Sequence, residues 1–249
     1  MNGEESVVAP FGFARVTKQD EVVRFAQVMC SAFSNDPLNR YLFLGRESRP
    51  DHPKLLADAH AGDRLEYWLP GILKRFNNSE VLVQSSNWAA VALWILPTGV
   101  EKPAPAASQT STTTSSSTAS EGVDEYTTSV DHLKKKYLGE DRLHWTLHLI
   151  GRAPDRPDKG AVRALVSPFL DRARAEKVPV WLEATNEHAR DVYAHLGFTV
   201  VEEFKIGKGI VNSEGWVQVN GEGEGVLIYA MTSGLEEEED SGNATTFPV

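Results

Sequence analysis

The hydrophobic positions along the chain change their period several times, and each change marks a predicted element. Apolar side chains recur three and four positions apart over 20–33 and again over 162–173, which predicts two amphipathic helices. Two β-prone runs, 80–85 and 88–96, are joined by a short polar turn, which predicts a hairpin. Because the second run is apolar on both faces, it predicts a central strand.

Weaker patterns add further elements around this set. The fold is expected to begin with a strand and to end with two more, and two additional helices carry shorter apolar stripes. The strands are predicted at 11–17, 200–206 and 226–231, and the helices at 64–76, with a break near Pro70-Gly71, and at about 130–137.

The stretch from Trp181 to Phe198 carries the clearest local signals. It opens as a strand and becomes a helix at Asn186, a favoured N-cap residue. Apolar side chains, with Tyr193 among them, recur along one helical face, and Gly197 stands where a left-handed residue ends a helix. The stretch therefore predicts a strand, a short capped helix and another strand.

Composition and charge narrow the function classes. The formal charge of −10 argues against nucleic acid as a partner, because nucleic acid favours a basic face. Cys30 is the only cysteine, so no disulfide forms within the chain and a reducing compartment is expected. No segment approaches the length of a membrane span, and the first residues lack the pattern of a signal peptide. A cytoplasmic protein without a membrane partner is predicted.

Two segments contain too little apolar material to fold. The Ser/Thr-rich stretch at about 100–122 predicts a disordered insertion within one domain, because the chain beyond it completes the same sheet. The acidic run near the C-terminus predicts a disordered tail over 234–249, and residues 1–10 are predicted to be an N-terminal tail. A single domain is expected over 11–233.

Asn186, Ala189, Tyr193 and Gly197-Phe198 together resemble the N-x-x-A-x-x-x-Y-x-x-x-G-F signature of the GNAT superfamily, the acyl-CoA-dependent N-acyltransferases. The resemblance implies an α/β (α+β) fold with a mixed, mostly antiparallel central sheet flanked by helices. It also implies acetyl-CoA as cosubstrate and direct acetyl transfer to an amine within a ternary complex. In the family the asparagine contacts the pantetheine arm and the tyrosine protonates the leaving thiolate, which assigns these roles to Asn186 and Tyr193. No metal-ligand spacing occurs in the sequence.

The family's pyrophosphate loop, patterned Q/R-x-x-G-x-G/A, corresponds to the segment before the 162–173 helix. Such a loop binds phosphate through backbone N–H groups at a helix N-terminus, and glycine lets the backbone approach closely. Besides Asn186, the resemblance assigns cosubstrate contacts to the end of the preceding strand and to this loop: Ile150, Arg152, Asp158, Lys159, Gly160, Ala161, Val162 and Arg163.

Three positions depart from the family's pattern. Pro157 stands at the Q/R position and removes one N–H donor. Val162 places a branched side chain at the second small position, and Arg152 replaces the usual valine of the strand end. These departures keep an alternative open. The chain would then have the fold without acetyltransferase activity and act as a ligand-binding, accessory or differently catalytic protein.

Residues 143–150 alternate between an apolar and a polar face, which predicts a strand. Its polar side chains, His144, Thr146 and His148, either line the acceptor cavity or are hydrated near an open edge. In the cavity, a histidine such as His148 would be available as general base near neutral pH. Glu183 is the other candidate base, and its alternative role is pairing with a neighbouring arginine.

The segment after the first helix resembles the acceptor-side segment of a GNAT subfamily common in fungi and bacteria. The resemblance assigns Asp36, Arg40 and Tyr41 to a loop over the substrate site. The alternative is a plain connection between two helices. The acceptor stays open among a small amine, a peptide N-terminus and a lysine.

Overall fold

The computed structural model describes residues 12–55, 60–97 and 118–235. Strands and helices follow one another along these residues largely as the hydrophobic pattern predicts. The strands are β1 (Phe13–Arg15), β2 (Val81–Ser85), β3 (Ala90–Ile95), β4 (Trp145–Arg152), β5 (Val180–Ala184), β6 (Thr199–Ile206) and β7 (Val226–Ser233). The helices are α1 (Gln19–Ala32), α2 (Pro37–Leu44), α3 (His60–Asn77), α4 (Thr118–Leu138), α5 (Ala161–Glu176) and α6 (Glu187–His195).

The seven strands form one sheet in the order β1-β2-β3-β4-β5-β7-β6. All neighbouring pairs are antiparallel except β4 and β5, which are parallel. This sheet confirms the predicted mixed, mostly antiparallel α/β architecture. β4 and β5 pair only at Trp145 with Val180 and at Thr146 with Trp181. Beyond these pairs the two strands separate, and the space between their ends is where the candidate site lies.

Helices cover both faces of the sheet. On one face, α5 and the side chain of Tyr193 from α6 pack against the apolar residues of β2 to β5 and β7. On the other face, α1 and α3 pack against β2 and β3, and α4 packs against β5 and β7. Successive side chains of a strand point to opposite faces, so Val180 and Leu182 face α5 while Trp181 and Glu183 face α4. Glu183 is thereby directed toward α4, where Tyr126 donates to it.

β4 contains an irregularity at His148. Leu149 pairs with Leu93 and Leu147 pairs with Trp94, so His148 is an extra residue without a partner on β3. A bulge of this kind reverses the alternation of faces. Leu147 accordingly packs on the α5 face, while Leu149 packs against α1 and α3. The simple two-residue alternation predicted over 143–150 therefore holds only up to the bulge.

The structure corrects two other predictions about elements. α3 continues through Pro70, where a break is expected from the sequence, because Pro70 is on the exposed side while the apolar side of the helix packs against α1. α4 begins at Thr118, so residues 118–122 are helical although the sequence places them in the insertion. The remainder of that insertion at about 100–117, residues 236–249 of the tail predicted over 234–249, and residues 1–10 of the N-terminal tail lie outside the described residues.

Across residues 12–55, 60–97 and 118–235, no helix combines the length and the apolar character needed to cross a membrane. The same ranges contain no group of three His, Cys, Asp or Glu side chains arranged to hold a metal ion.

Candidate active site

A cavity of about 430 Å³ opens where β4 and β5 separate. Residues 147–152 of β4 form one side, and Glu183 with the start of α6 forms the other. Side chains from α1, α2, α3 and α4 close the cavity over the sheet. A parallel pair that parts in this way leaves backbone N–H and C=O groups without ladder partners on the facing edges. The cavity therefore offers both side chains and backbone hydrogen-bonding groups.

The start of α6 forms as its sequence predicts. Asn186 is the N-cap, and its side-chain oxygen accepts a hydrogen bond from the N–H of Ala189 at 2.9 Å. The Asn186 amide also donates to Thr185 Oγ1 at 3.4 Å. Gly197 adopts a φ of +96° directly after the helix, which confirms the predicted left-handed stop. Asn186 and Ala189 both line the cavity, so the cap holds the helix N-terminus against it.

Tyr193 reaches the cavity from the next turns of α6. Its ring is buried and packs edge-on against Phe198, with 6.0 Å between ring centroids. Burial raises the pKa of Tyr193, and the negative charge of Glu183 adds to this effect. The phenol therefore remains protonated at neutral pH and can donate a proton.

Glu183 is held by two donors from different elements. The indole N–H of Trp181 donates to one of its carboxylate oxygens, and the hydroxyl of Tyr126 donates to the other at 3.4 Å. Burial raises the pKa of Tyr126 well above 10, with the charge of Glu183 as the next cause. The carboxylate is thus oriented by a tryptophan of its own strand and a tyrosine of α4. Sequence analysis did not find Tyr126, because its helix carries no motif that points to a site.

His148 lines the cavity from the bulge of β4. Burial lowers the pKa of His148 from 6.5 to about 3, and the positive charges of Arg75 and Lys134 act in the same direction. The imidazole is therefore neutral at physiological pH but is a weak base. This is a difference from the sequence-based expectation of a histidine that titrates near pH 7.

The predicted acceptor residues separate into two groups. Asp36 lines the cavity, where it caps α2 by accepting from the N–H of Asn39 at 2.8 Å. The hydroxyl of Thr185 donates to the second Asp36 oxygen at 2.6 Å, which links α2 to the end of β5. Burial raises the pKa of Asp36. Thr185 was not identified from the sequence, although it directly precedes the motif residue Asn186.

The other four predicted acceptor residues lie outside the cavity. Arg40 donates to the carbonyl of Glu214 and stacks on Trp216, with 3.9 Å to the ring centroid. Tyr41 is buried in an apolar cluster with β6 and β7. Thr146 is buried within β4. His144 precedes that strand, and its Nδ1 lies 2.9 Å from the carbonyl oxygen of Arg142. His144 and Thr146 lie outside the cavity because β4 begins at Trp145 and reaches the cavity only from Leu147.

The loop before α5 is shaped by a salt bridge. Arg156 contacts both carboxylate oxygens of Asp158, at 3.0 and 3.2 Å, which lowers the pKa of Asp158. The same guanidinium donates to the carbonyls of Ser86 and Asn87 in the β2–β3 turn, at 3.0 and 3.3 Å. The loop is therefore anchored to a distant turn of the chain by Arg156.

Gly160 is the N-cap of α5, with a φ of +81° that favours glycine. A Cβ at this position would meet no atom within 4 Å, and no side chain caps the first turn. The N–H of Ala161 donates to the carbonyl of Asp158 at 3.4 Å, and the next N–H groups of the first turn are open to a ligand. Val162 does not extend freely toward that opening, because it is partly buried against the core under α5. Lys159 and Arg163 are exposed beside it.

The end of β4 joins this loop to the cavity. Ile150, Gly151 and Arg152 line the cavity, and all three pair with β3 on their other side. The Arg152 side chain is exposed. An extended ligand could therefore hydrogen-bond along this strand edge from the cavity toward the N-terminus of α5, in the manner of an added strand.

Comparisons with known proteins place this arrangement among related folds. No protein-family model matches the chain. A Saccharomyces cerevisiae protein named for increased recombination centers is 36% identical over 95 residues, which is 38% of this chain and 58% of that protein. An uncharacterized S. cerevisiae protein is 26% identical over 84% of this chain and 82% of its own length. An uncharacterized N-acetyltransferase of Schizosaccharomyces pombe is 32% identical over 28% of this chain and 27% of its own length.

Solved structures match over most of the chain at low identity. A histone acetyltransferase HPA2 and related acetyltransferase from Corynebacterium glutamicum superposes with a TM-score of 0.52 and 17% identity, covering 92% of this chain and 98% of its own. Arylalkylamine N-acetyltransferase 2 from Aedes aegypti gives a TM-score of 0.50 and 15% identity, covering 89% and 97%. The resemblance seen in the sequence is thereby confirmed at the level of the fold: this chain is a GNAT-fold protein.

Proposed function

We propose that this protein is an N-acyltransferase that moves an acetyl group from acetyl-CoA to an amine. The observation that carries the proposal is the convergence of four features at one cavity. A protonated tyrosine, an N-capped helix start, an oriented carboxylate and an open strand edge meet where β4 and β5 separate. These are the groups that direct acyl transfer requires: a proton donor, a proton acceptor and a means of holding the thioester.

The proposed reaction combines a nucleophilic attack with proton transfers at the amine and at the thiolate. A base first takes a proton from the ammonium form of the acceptor, and the free amine nitrogen then attacks the thioester carbonyl carbon and forms a C–N bond. The same nitrogen then loses a second proton to the base. The C–S bond then breaks, and the hydroxyl of Tyr193 gives its proton to the leaving thiolate. The Tyr193 phenolate recovers a proton from solvent. The products are the acetylated amine and the free thiol of coenzyme A, so atoms and charge balance with one proton released from the ammonium form of the acceptor.

Glu183 is the better of the two candidate bases. The burial that lowers the pKa of His148 to about 3 disfavours the charge that His148 would gain as a base, whereas a carboxylate becomes neutral when it takes a proton. Glu183 is an anion directed into the cavity by Trp181 and Tyr126, and its charge acts on Tyr193. We therefore assign proton removal to Glu183, directly or through a water molecule, and a lining role to His148.

The residues at α5 fit the phosphate groups of acetyl-CoA in most respects. The uncapped first turn of α5 presents backbone N–H groups, and the exposed side chains of Lys159 and Arg163 supply positive charge. Pro157 lacks one donor, but the side chain of Val162 is partly buried in the core and does not fill the opening. Asn186 and the edge of Ile150 to Arg152 would hold the pantetheine arm. These assignments are the ones that the resemblance implies.

Titration calorimetry with acetyl-CoA and free coenzyme A tests the proposal. We expect binding in the micromolar range, since a shortened phosphate cradle still contains charged groups and N–H donors. Arg163→Gln removes one charge at the N-terminus of α5 and should weaken binding several-fold, by about 1 kcal/mol. Arg174→Gln makes the same change at the exposed C-terminal end of the helix and serves as control.

The same experiment distinguishes the alternative of a GNAT-fold protein without acetyltransferase activity. If millimolar acetyl-CoA gives neither heat nor a shift in melting temperature, the proposed function is rejected. If acetyl-CoA binds but no amine of a broad panel is acetylated, the protein is a binding protein for acyl-CoA rather than a transferase.

A further inference from the structure

The cavity combines two carboxylates with few positive charges. Asp36 and Glu183 line it, and among its described lining residues the one permanent cation is Arg152, which is exposed at the end of β4. The two carboxylates belong to one local network. Thr185, two positions after Glu183, donates to Asp36, and both negative charges act on Tyr126. Two anions in a largely buried site attract a cation strongly because solvent screens them little.

An aromatic surface faces the same cavity from α1 and α3. The ring centroids of Phe33 and Trp68 are 5.5 Å apart, and those of Tyr67 and Trp68 are 5.7 Å apart. All three residues line the cavity, together with Leu38 and Leu42 of α2. Such a surface favours a flat apolar group, and its aromatic faces also attract a neighbouring cation.

Helix α4 forms one wall of the cavity through Val123, Tyr126 and Thr127. Glu121 pairs with Arg46 at 2.8 Å, and the carboxylate of Glu125 accepts from the N–H of Gly207 at 3.1 Å. These contacts fix α4 against the segment after α2 and against the end of β6. Tyr126 of the same helix then reaches Glu183 inside the cavity. An acceptor must therefore fit under α4.

The long β6–β7 loop packs on α2, and a separate cavity of about 570 Å³ lies beside this contact at Arg40 and Trp216. Ser48 donates to the carbonyl of Gly215 at 2.6 Å, and Arg40 donates to the carbonyl of Glu214. A Cβ at Gly215 would collide with the carbonyl of Pro37, so the two backbones are in direct contact. The volume of about 430 Å³ must also hold the thioester end of the cosubstrate and is near the small end for ligand sites. The volume that remains fits a compact acceptor better than an extended peptide.

From these observations we infer the acceptor class: a small primary amine with an aromatic body. Its ammonium group lies between Asp36 and Glu183. Its ring packs against Phe33, Tyr67 and Trp68. This inference rests on the proposed function for the fate of the amine, but the binding of the amine is a separate property and can be measured without turnover.

Calorimetry with 2-phenylethylamine, in the presence of free coenzyme A, tests the inference. Two comparison ligands separate the contributions of the charge and of the aromatic ring to binding. 2-Phenylethanol keeps the ring without the charge, and 2-cyclohexylethylamine keeps the charge without the aromatic ring. We expect 2-phenylethylamine to bind most tightly of the three. A lysine-containing peptide is the fourth ligand and should bind weakest.

Asp36→Asn is the decisive variant, because asparagine caps a helix as well as aspartate and so preserves the start of α2. It should weaken binding of 2-phenylethylamine about tenfold to a hundredfold, the usual effect of losing a charged hydrogen-bond partner, and leave 2-phenylethanol unaffected. Asp171→Asn, on the exposed surface of α5, is the matched control. Melting temperatures verify that both variants are folded.

Each failure has a distinct meaning. If the lysine peptide is acetylated faster than 2-phenylethylamine, or if Asp36→Asn does not weaken amine binding, the acceptor inference is overturned while the proposed function stands. If acetyl-CoA does not bind, the proposed function fails, and the amine-binding data alone then decide whether the cavity selects aromatic amines.

Discussion

Two helix N-termini follow the two strands that separate at the cavity, and they are organised in opposite ways. At α6, the side chain of Asn186 caps the helix that it begins, so the geometry is set within a few residues. At α5, Gly160 provides no side-chain cap, and the loop is instead held by Arg156, whose partner Ser86 is 70 positions away in sequence. The contrast predicts that a departure from a motif matters less where a distant side chain fixes the backbone.

The same contrast assigns different tasks to the two helices. α6 presents Tyr193, whose phenol is the proposed proton donor, and a filled cap. α5 presents open N–H groups with exposed positive side chains. Substitutions near α6 should therefore affect the chemical step, while substitutions near α5 should affect the affinity for acetyl-CoA. The following predictions test this division.

The largest effect is expected from Tyr193→Phe. The substitution keeps the ring and its packing against Phe198 but removes the acidic hydroxyl. We expect kcat to fall about 10²- to 10⁴-fold, the range for one positioned proton donor, with little change in the KM for acetyl-CoA. Steady-state kinetics with the best amine measures both constants. Unchanged kcat would remove Tyr193 from the mechanism and weaken the division between the two helices.

The second prediction concerns His148, on β4, the strand that precedes α5. Its pKa is about 3 in the folded protein and 6.5 as the reference value, so below pH 6.5 the unfolded chain binds a proton that the folded chain does not. The contribution of His148 to the free energy of unfolding is therefore fully present above pH 6.5 and is lost as the pH falls toward 3. The loss between pH 7 and pH 5 should be about 2 kcal/mol.

Urea unfolding of the wild type and of His148→Gln at both pH values measures this effect. The variant should lose about 2 kcal/mol less than the wild type over the same interval. Equal losses would mean that His148 titrates normally. His148 would then be available as a base near neutral pH, and both His148 and Glu183 would again be candidates for the base.

The elements and the α6 motif could be predicted from the sequence because their causes are local. Hydrophobic period predicts the hairpin of β2 and β3, and the cap at Asn186 with the stop at Gly197 defines α6. The packing of α3 against α1 overrides the local effect of Pro70. Sequence periodicity does not reveal such a long-range contact.

The candidate site was predictable only where a motif or a strand end specified it. Asp36 reaches the cavity as expected, but Arg40 and Tyr41, a turn later, face Trp216 and the β6–β7 core. The contribution of Tyr126 depends on how α4 folds back over the sheet after the insertion, and no residue spacing encodes that contact. Periodicity indicates which face is apolar, but not which neighbour covers it.

The third prediction tests the long-range anchor of the α5 loop. Arg156→Ala removes the bonds to Asp158, Ser86 and Asn87 together. Acetyl-CoA should then bind about tenfold more weakly, because the loop must be ordered at the expense of binding free energy. Arg172→Ala, an exposed salt-bridge partner of Glu176, is the control for loss of a surface arginine. A wild-type affinity in Arg156→Ala would show that the loop does not need its anchor.

The smallest effect is expected from restoring the family's loop pattern. Pro157→Gln returns one backbone N–H and a polar side chain at an exposed position. Because Arg156 already fixes the neighbouring backbone, the gain in acetyl-CoA affinity should be only about twofold to fivefold, or up to about 1 kcal/mol.

At Val162 the suitable change is alanine rather than glycine, since this residue is partly buried and lies in the first turn of α5. Glycine there would cost the helix about 1 kcal/mol relative to alanine and obscure the result. We expect Val162→Ala to leave acetyl-CoA affinity within twofold of the wild type, because its side chain packs inward. Calorimetry on Pro157→Gln, Val162→Ala and the double variant measures these changes. A gain of a hundredfold in the double variant would mean that the two departures, rather than the anchor at Arg156, determine how the loop binds phosphate.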